Sequence, residues 1–212
     1  MKFEELSDRA KERVIYTYSE FLADMNDWWE PLEEDLQAEL NEQYGLDDVK
    51  IEFQLAYVQS DTVLFHLKNE SLSNDLLTAA GLDYAGVIAE QLAHKFGVLE
   101  KNIPELEDEL LRNSSVYGDV GITNPSGVTV ELDGLYDAIV EGTENGEGEV
   151  DGTEVQKEID KIEAAVNDAL YERARKFYDQ LREEWEFQTS EEEVAEAAEA
   201  NGWEYDEDGD IL

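Results

Sequence analysis

A chain of 212 residues with 42% hydrophobic and 10% aromatic content carries enough packing material for a real core, which excludes a disordered acidic tail. Its 55 acidic against 15 basic residues give a formal charge of −40, so nucleic acid and anionic membrane are poor partners while a basic protein surface is a good one. With no cysteine, disulfides and thiolate metal sites are excluded.

The opening MKFEELSDRAKERV lacks the apolar core of a signal peptide, and no run approaches the roughly eighteen apolar residues of a membrane span. The simplest expectation is a cytoplasmic protein. Ser7 is a candidate N-cap, and Val14, Ile15, Tyr18, Phe21, Leu22 and Met25 fall at helical spacing on one face. A second helix is expected from about Trp28, with Pro31 in its first turn and Gly45 as C-cap. Leu32, Leu36 and Leu40 form its buried stripe, while Asp35, Glu39 and Glu42 line the outer side. Between Arg13 and Lys50 stand eleven acids and no base.

The clearest sheet signal follows, in VKIEFQLAYVQSDTVLFHLK. Ile51, Phe53, Leu55 and Tyr57 recur every second residue with Glu52 and Gln54 between them, Gln59-Ser60-Asp61-Thr62 supplies turn chemistry, and Val63, Phe65 and Leu67 resume the alternation. Such a hairpin is not stable alone, so helices must cover its apolar face. A helical stretch then runs to Phe96-Gly97, interrupted at Gly81, with Val87, Ile88, Leu92 and Phe96 on its apolar side. Pro104 starts a short acidic helix. A composition shift at Asn113 leads into a second hairpin turning at Asn124-Pro125-Ser126-Gly127, followed by the acidic glycine-rich stretch EGTENGEGEVDG.

Thr153 and Gln156 have the spacing of a capping box, and the helix they open is the longest in the chain. Ser190 and Glu193 form another, before EEEVAEAAEA and Asn201-Gly202. The expected class is α+β: antiparallel hairpins packed against amphipathic helices, one of them long and C-terminal. Residues 1–112 form a helical and hairpin part and 113–212 the remainder, as two domains or packed as one.

Three segments together resemble a family of small acidic phage-encoded proteins of unassigned function. They are FEELSDRAKERV, Trp28-Trp29-Glu30 with the later YVQSDTVLF, and the end TSEEEVAEAAEANGWEYDEDG. The family's turn has glycines where Ser60 and Thr62 stand here. The resemblance implies a phage protein acting in the cytoplasm of a host cell.

No catalytic residue, metal ligand or cofactor site is assigned. With so many carboxylates, acid pairs at any spacing are guaranteed and identify nothing. His66 and His94 lack a neighbouring ligand at metal spacing. Asp206, Asp208 and Asp210 match the start of a calcium loop, but Ile211 stands where that loop needs glycine. What remains is the arrangement of charge. Asp35, Glu39, Glu42 and Glu192, Glu196, Glu199 each form a row of carboxylates about 4.5 to 6 Å apart along a helix, a spacing that can follow DNA phosphates. The expected function is a non-enzymatic inhibitor that mimics nucleic-acid charge and sequesters a host restriction, defence or repair protein through its basic surface. The alternative is adaptation to high salt, in which the acids only hold water. Glu outnumbers Asp and Lys outnumbers Arg, which weighs against that alternative.

Overall fold

The computed structural model describes residues 1–24, 28–47, 49–55, 62–69, 71–122, 127–143 and 150–212. Among these the helices are α1 (Asp8–Asp24), α2 (Glu30–Tyr44), α3 (Asn74–Ala79), α4 (Ala85–Phe96), α5 (Ile103–Leu111), α6 (Asp133–Glu141), α7 (Gly152–Gln188) and α8 (Glu191–Asn201). Strands β1 (Val49–Gln54), β2 (Thr62–Asn69), β3 (Ser115–Gly121) and β4 (Val128–Glu131) form one antiparallel sheet in that order. The fold is α+β. Residues 59–61 and 124–126 of the two expected turns, and 144–149 of the acidic glycine-rich stretch, lie outside the described residues.

Two compact units are formed, Met1–Glu34 with Tyr178–Leu212, and Asp35–Phe177. The composition shift at Asn113 therefore marks the entry to β3 rather than a limit between units, because β3 pairs with β2 through Leu64↔Gly121 to Asn69↔Val116. Both hairpins belong to one sheet.

In the first unit α1 packs against α8, and Phe3, Leu6, Ala10, Val14, Val194, Ala198 and Tyr205 make the core. Ser7 caps α1 as its side chain predicts, its Oγ accepting from the Ala10 amide at 3.3 Å. Ser190 does the same for α8, accepting from the Glu193 amide at 3.2 Å, and Gly202 ends that helix in the left-handed region at φ +68. One expectation is corrected. Phe21 lies on the same side of α1 as Ala10 and Val14 by helical spacing, yet it is 52% exposed while Leu22 beside it is buried at 5%, so burial is uneven within the last turns of that face.

In the second unit the period-2 pattern sets the register. Val63, Phe65 and Leu67 of β2 are buried with Val116 and Val120 of β3 and Val128 and Val130 of β4. Lys50, Glu52, His66, Asp119 and Glu131 fall on the opposite face, and a slip of one residue would exchange the two sets. Helix α7 contributes Phe177, edge-on to Phe53 with centroids 6.1 Å apart. It also contributes Asn167, whose Oδ1 accepts from the Val128 amide at 2.6 Å and whose Nδ2 donates to the Val128 carbonyl at 2.8 Å. Helices α4, α5 and α6 pack on one another. Helix α6 is absent from the sequence expectation; its DGLYDAIVE has no clear cap to announce it. The start of α7 is also corrected. Asp151, not Thr153, is the capping side chain, with Oδ1 accepting from the Thr153 amide at 3.0 Å.

Candidate functional site

The α8 row is open. Glu192, Glu196 and Glu199 are all exposed, while Val194 and Ala198 on the other side of the same helix are buried at 0% and 3%. That division follows from the helical period: apolar residues four apart fix one face inward, and the acids between them are turned outward. Glu191, Glu192 and Glu193 occupy the first turn, where the helix dipole favours negative charge. The unit that carries this row has 24 acids and 5 bases in 69 residues, a net of −19. The other has −21 in 143 residues, so charge per residue is nearly twice as high in the first. Two of its bases are engaged locally, Lys11 with Glu191 at 2.6 Å and Arg13 with Asp210 at 2.6 Å.

The α2 row is broken. Asp35 and Glu42 are exposed, but Glu39 is half-buried and grips Arg173 of α7. Arg173 Nε donates to Glu39 Oε1 at 2.9 Å and Nη2 donates to Oε2 at 2.7 Å. The Arg173 side chain is only 5% exposed, so its charge requires a counter-ion, and Glu39 serves as that ion instead of facing outward. Burial, with Glu39 adding to it, also raises the Tyr44 hydroxyl above its ordinary pKa. The two rows belong to different units.

The outer face of the sheet carries charges that pair among themselves. His66 Nδ1 lies 2.7 Å from Asp119 Oδ1 on β3, and its Nε2 is 3.3 Å from Glu52 Oε2 on β1. Lys50 also bonds Glu52, and the Tyr117 hydroxyl donates to Glu131 at 2.8 Å. The hydrogen bond to Asp119 is the main cause that raises the His66 pKa. Near α4 and α7, Lys95 and Lys161 both contact Glu158, at 2.5 and 2.7 Å, and together hold its carboxyl below the ordinary range, Lys161 contributing most. Positive charge is therefore largely consumed inside the protein, which leaves the carboxylates to define its surface potential.

In the tail, Asp206 Oδ1 accepts from the amides of Asp208 at 2.9 Å and Asp210 at 3.0 Å. That turn uses the carboxylate the calcium pattern would need. Among the described residues no group of three or more His, Asp or Glu is arranged to hold a metal ion. Trp28 meets Trp185 at 5.6 Å, and both are half-buried.

Sequence reasoning missed Arg173 and an aromatic cavity in the first unit. Arg173 stands among six bases on α7 and only its burial separates it from them. The cavity joins Tyr18 and Phe21 to Trp203 and Tyr205, nearly the whole chain length away, with no spacing rule to connect them. No protein-family model, no curated protein and no solved structure matches the chain.

Proposed function

We propose that this chain is a non-enzymatic inhibitor, phage-encoded as its segment resemblance implies, that presents nucleic-acid-like negative charge and sequesters a host DNA-binding protein. The observation that carries the reading is the exposed Glu192, Glu196, Glu199 row on a helix fixed by a buried apolar back, within a unit of net charge −19 in 69 residues. A held row differs from scattered surface acids in that its members cannot move apart to relieve repulsion. A partner with a basic groove therefore meets charge already placed at about 4.5 to 6 Å intervals. Such a surface accelerates encounter at low salt and loses that advantage as salt screens it over about 10 Å.

Asp35 and Glu42 form a secondary contact in this reading, with Glu39 excluded by its ion pair. The reading places the protein in the host cytoplasm and away from membranes. Among the described residues no helix is long and apolar enough to cross one.

The test is capture from a nuclease-treated bacterial lysate on the immobilised full chain, followed by elution with duplex DNA. The expected result is retention of a nucleic-acid-binding protein that DNA releases. Retention of proteins that DNA fails to release, or of none, overturns the reading.

A further inference from the structure

The sheet ends in two edges, and the chain treats them differently. At β4, Asn167 of α7 takes up the amide and the carbonyl of Val128. At β1, the other end of the sheet, no backbone hydrogen bond joins Val49–Gln54 to any element but β2 among the described residues. Burial of the apolar face falls off in the same direction. Val63 and Phe65 of β2 are covered completely, whereas Phe53 and Ile51, their partners on β1, are only half-buried. An edge strand carries amides and carbonyls directed away from its own sheet, and another strand can pair with them. On the opposite face Lys50 and Glu52 stand two residues apart, with side chains 72% and 51% exposed. Charges on an edge ordinarily discourage pairing, but these two have opposite signs.

We infer that the β1 edge is a self-pairing surface through which two copies of this chain join their sheets, independently of the function proposed above. Antiparallel pairing centred on Ile51 sets Lys50 of each copy opposite Glu52 of the other. The same register places Ile51 opposite Ile51 and Val49 opposite Phe53, apolar against apolar on one face. A slip of two residues brings Lys50 opposite Lys50 or Glu52 opposite Glu52, and a slip of one exchanges the faces. One register is therefore favoured, and it is two-fold symmetric, as a closed dimer requires. Lys50 bonds Glu52 within a single chain, so pairing exchanges that contact for the same contact between copies. The gain comes from the backbone hydrogen bonds and from covering Ile51 and Phe53, while the charges fix the register. A strand from a basic partner would answer Glu52 but oppose Lys50. A strand with one base and one acid two residues apart answers both, and β1 is itself such a strand.

The experiment is sedimentation equilibrium of the full chain up to about 0.1 mM, because one strand pair is a small interface. Two copies of net charge −40 repel at long range, so the salt is set at about 0.15 M, where charges beyond about 8 Å are screened and local contacts decide. The wild type is expected to show a reversible monomer–dimer equilibrium. Lys50→Glu and Glu52→Lys each turn two attractive cross-strand pairs into repulsive ones, and each is expected to weaken the dimer about tenfold or more. An effect of net charge alone would move these two variants in opposite directions. Lys50→Glu/Glu52→Lys restores both pairs with the signs exchanged and is expected to return to within about threefold of the wild type. An equimolar mixture of the single variants is expected to form a heterodimer, which also shows that both remain folded. Amide exchange in residues 49–54 is expected to slow as wild-type concentration rises, while exchange in β4 stays constant. A monomer at every concentration, or a dimer that both single variants leave intact, overturns the inference. Amides of β1 that slow only when a captured host protein is added would assign the edge to that protein and overturn self-pairing.

Discussion

Arg173 reaches Glu39 across 134 positions of sequence and holds it with two hydrogen bonds, of 2.9 and 2.7 Å. In a chain of net charge −40 this is the place where a positive group is taken almost wholly out of water. The pair ties α2 to α7 within the second unit. It also decides which acids remain available for a partner.

Removing Glu39 leaves the Arg173 charge buried without its counter-ion. Glu39→Gln is expected to cost about 3 kcal/mol, the low end of the range for a broken buried pair, because the Glu39 side chain keeps 30% exposure. Glu42→Gln, at an exposed position of the same helix, is expected to leave the urea midpoint unchanged. Equal midpoints for the two variants would show that the ion pair contributes nothing.

Stability should depend on pH through His66. Its folded pKa is raised, chiefly by the hydrogen bond with Asp119, so the proton-bound form is favoured by folding. The resulting stabilisation is fully present below the ordinary value of about 6.5 and is lost as pH rises through the raised folded value. The wild type should therefore lose more of its thermal midpoint than His66→Gln does between about pH 6 and about pH 8.5. Parallel profiles for the two proteins would remove His66 from the account. The depressed carboxyl of Glu52, bonded to Lys50 first and His66 second, acts in a lower window: its contribution is present above its ordinary pKa and lost as pH falls through the folded value.

Asn167 substitutes for a neighbouring strand at the start of β4, satisfying both backbone groups of Val128 from α7. Asn167→Ala should cost about 1 to 3 kcal/mol, the range for stranding a partly buried donor and acceptor. Hydrogen exchange at the Val128 amide should rise more than at the Val116 amide in β3. Unchanged exchange at Val128 would mean that water replaces the side chain without loss.

Strand positions were legible because the apolar alternation in Ile51-Phe53 and Val63-Phe65-Leu67 has one solution with the large groups on a single face. Ser7, Gly45 and Ser190 announced helix ends for local reasons: a hydroxyl that accepts from an amide, or a φ of +63 that glycine tolerates. Asp151 stood beside an equally good capping pattern at Thr153, and local chemistry alone did not separate the two. Glu39 looked like its neighbours Asp35 and Glu42 because its role depends on Arg173, a contact that no local pattern encodes. Helical spacing puts Phe21 and Leu22 on one apolar face, and only tertiary packing decides that Leu22 is covered and Phe21 is not.

Salt adaptation and partner binding make opposite predictions in dilute buffer. A protein whose acids serve only hydration should lose its helical circular dichroism as salt is withdrawn. The present account expects the signal to persist, since Leu36, Phe65, Leu106, Leu170 and Phe177 are buried at 1% or less. Reversible unfolding on dialysis into low salt would favour hydration as the purpose of the charge.

The most direct measurement is the affinity of the captured host protein for the wild type and for Glu192→Lys/Glu196→Lys/Glu199→Lys across a series of salt concentrations. The account predicts at least about tenfold weaker binding of the triple variant at low salt, with a shallower salt dependence, because three charges of the mimic surface are reversed. Affinity and salt slope identical to wild type would contradict the claim that this row is the surface the partner meets.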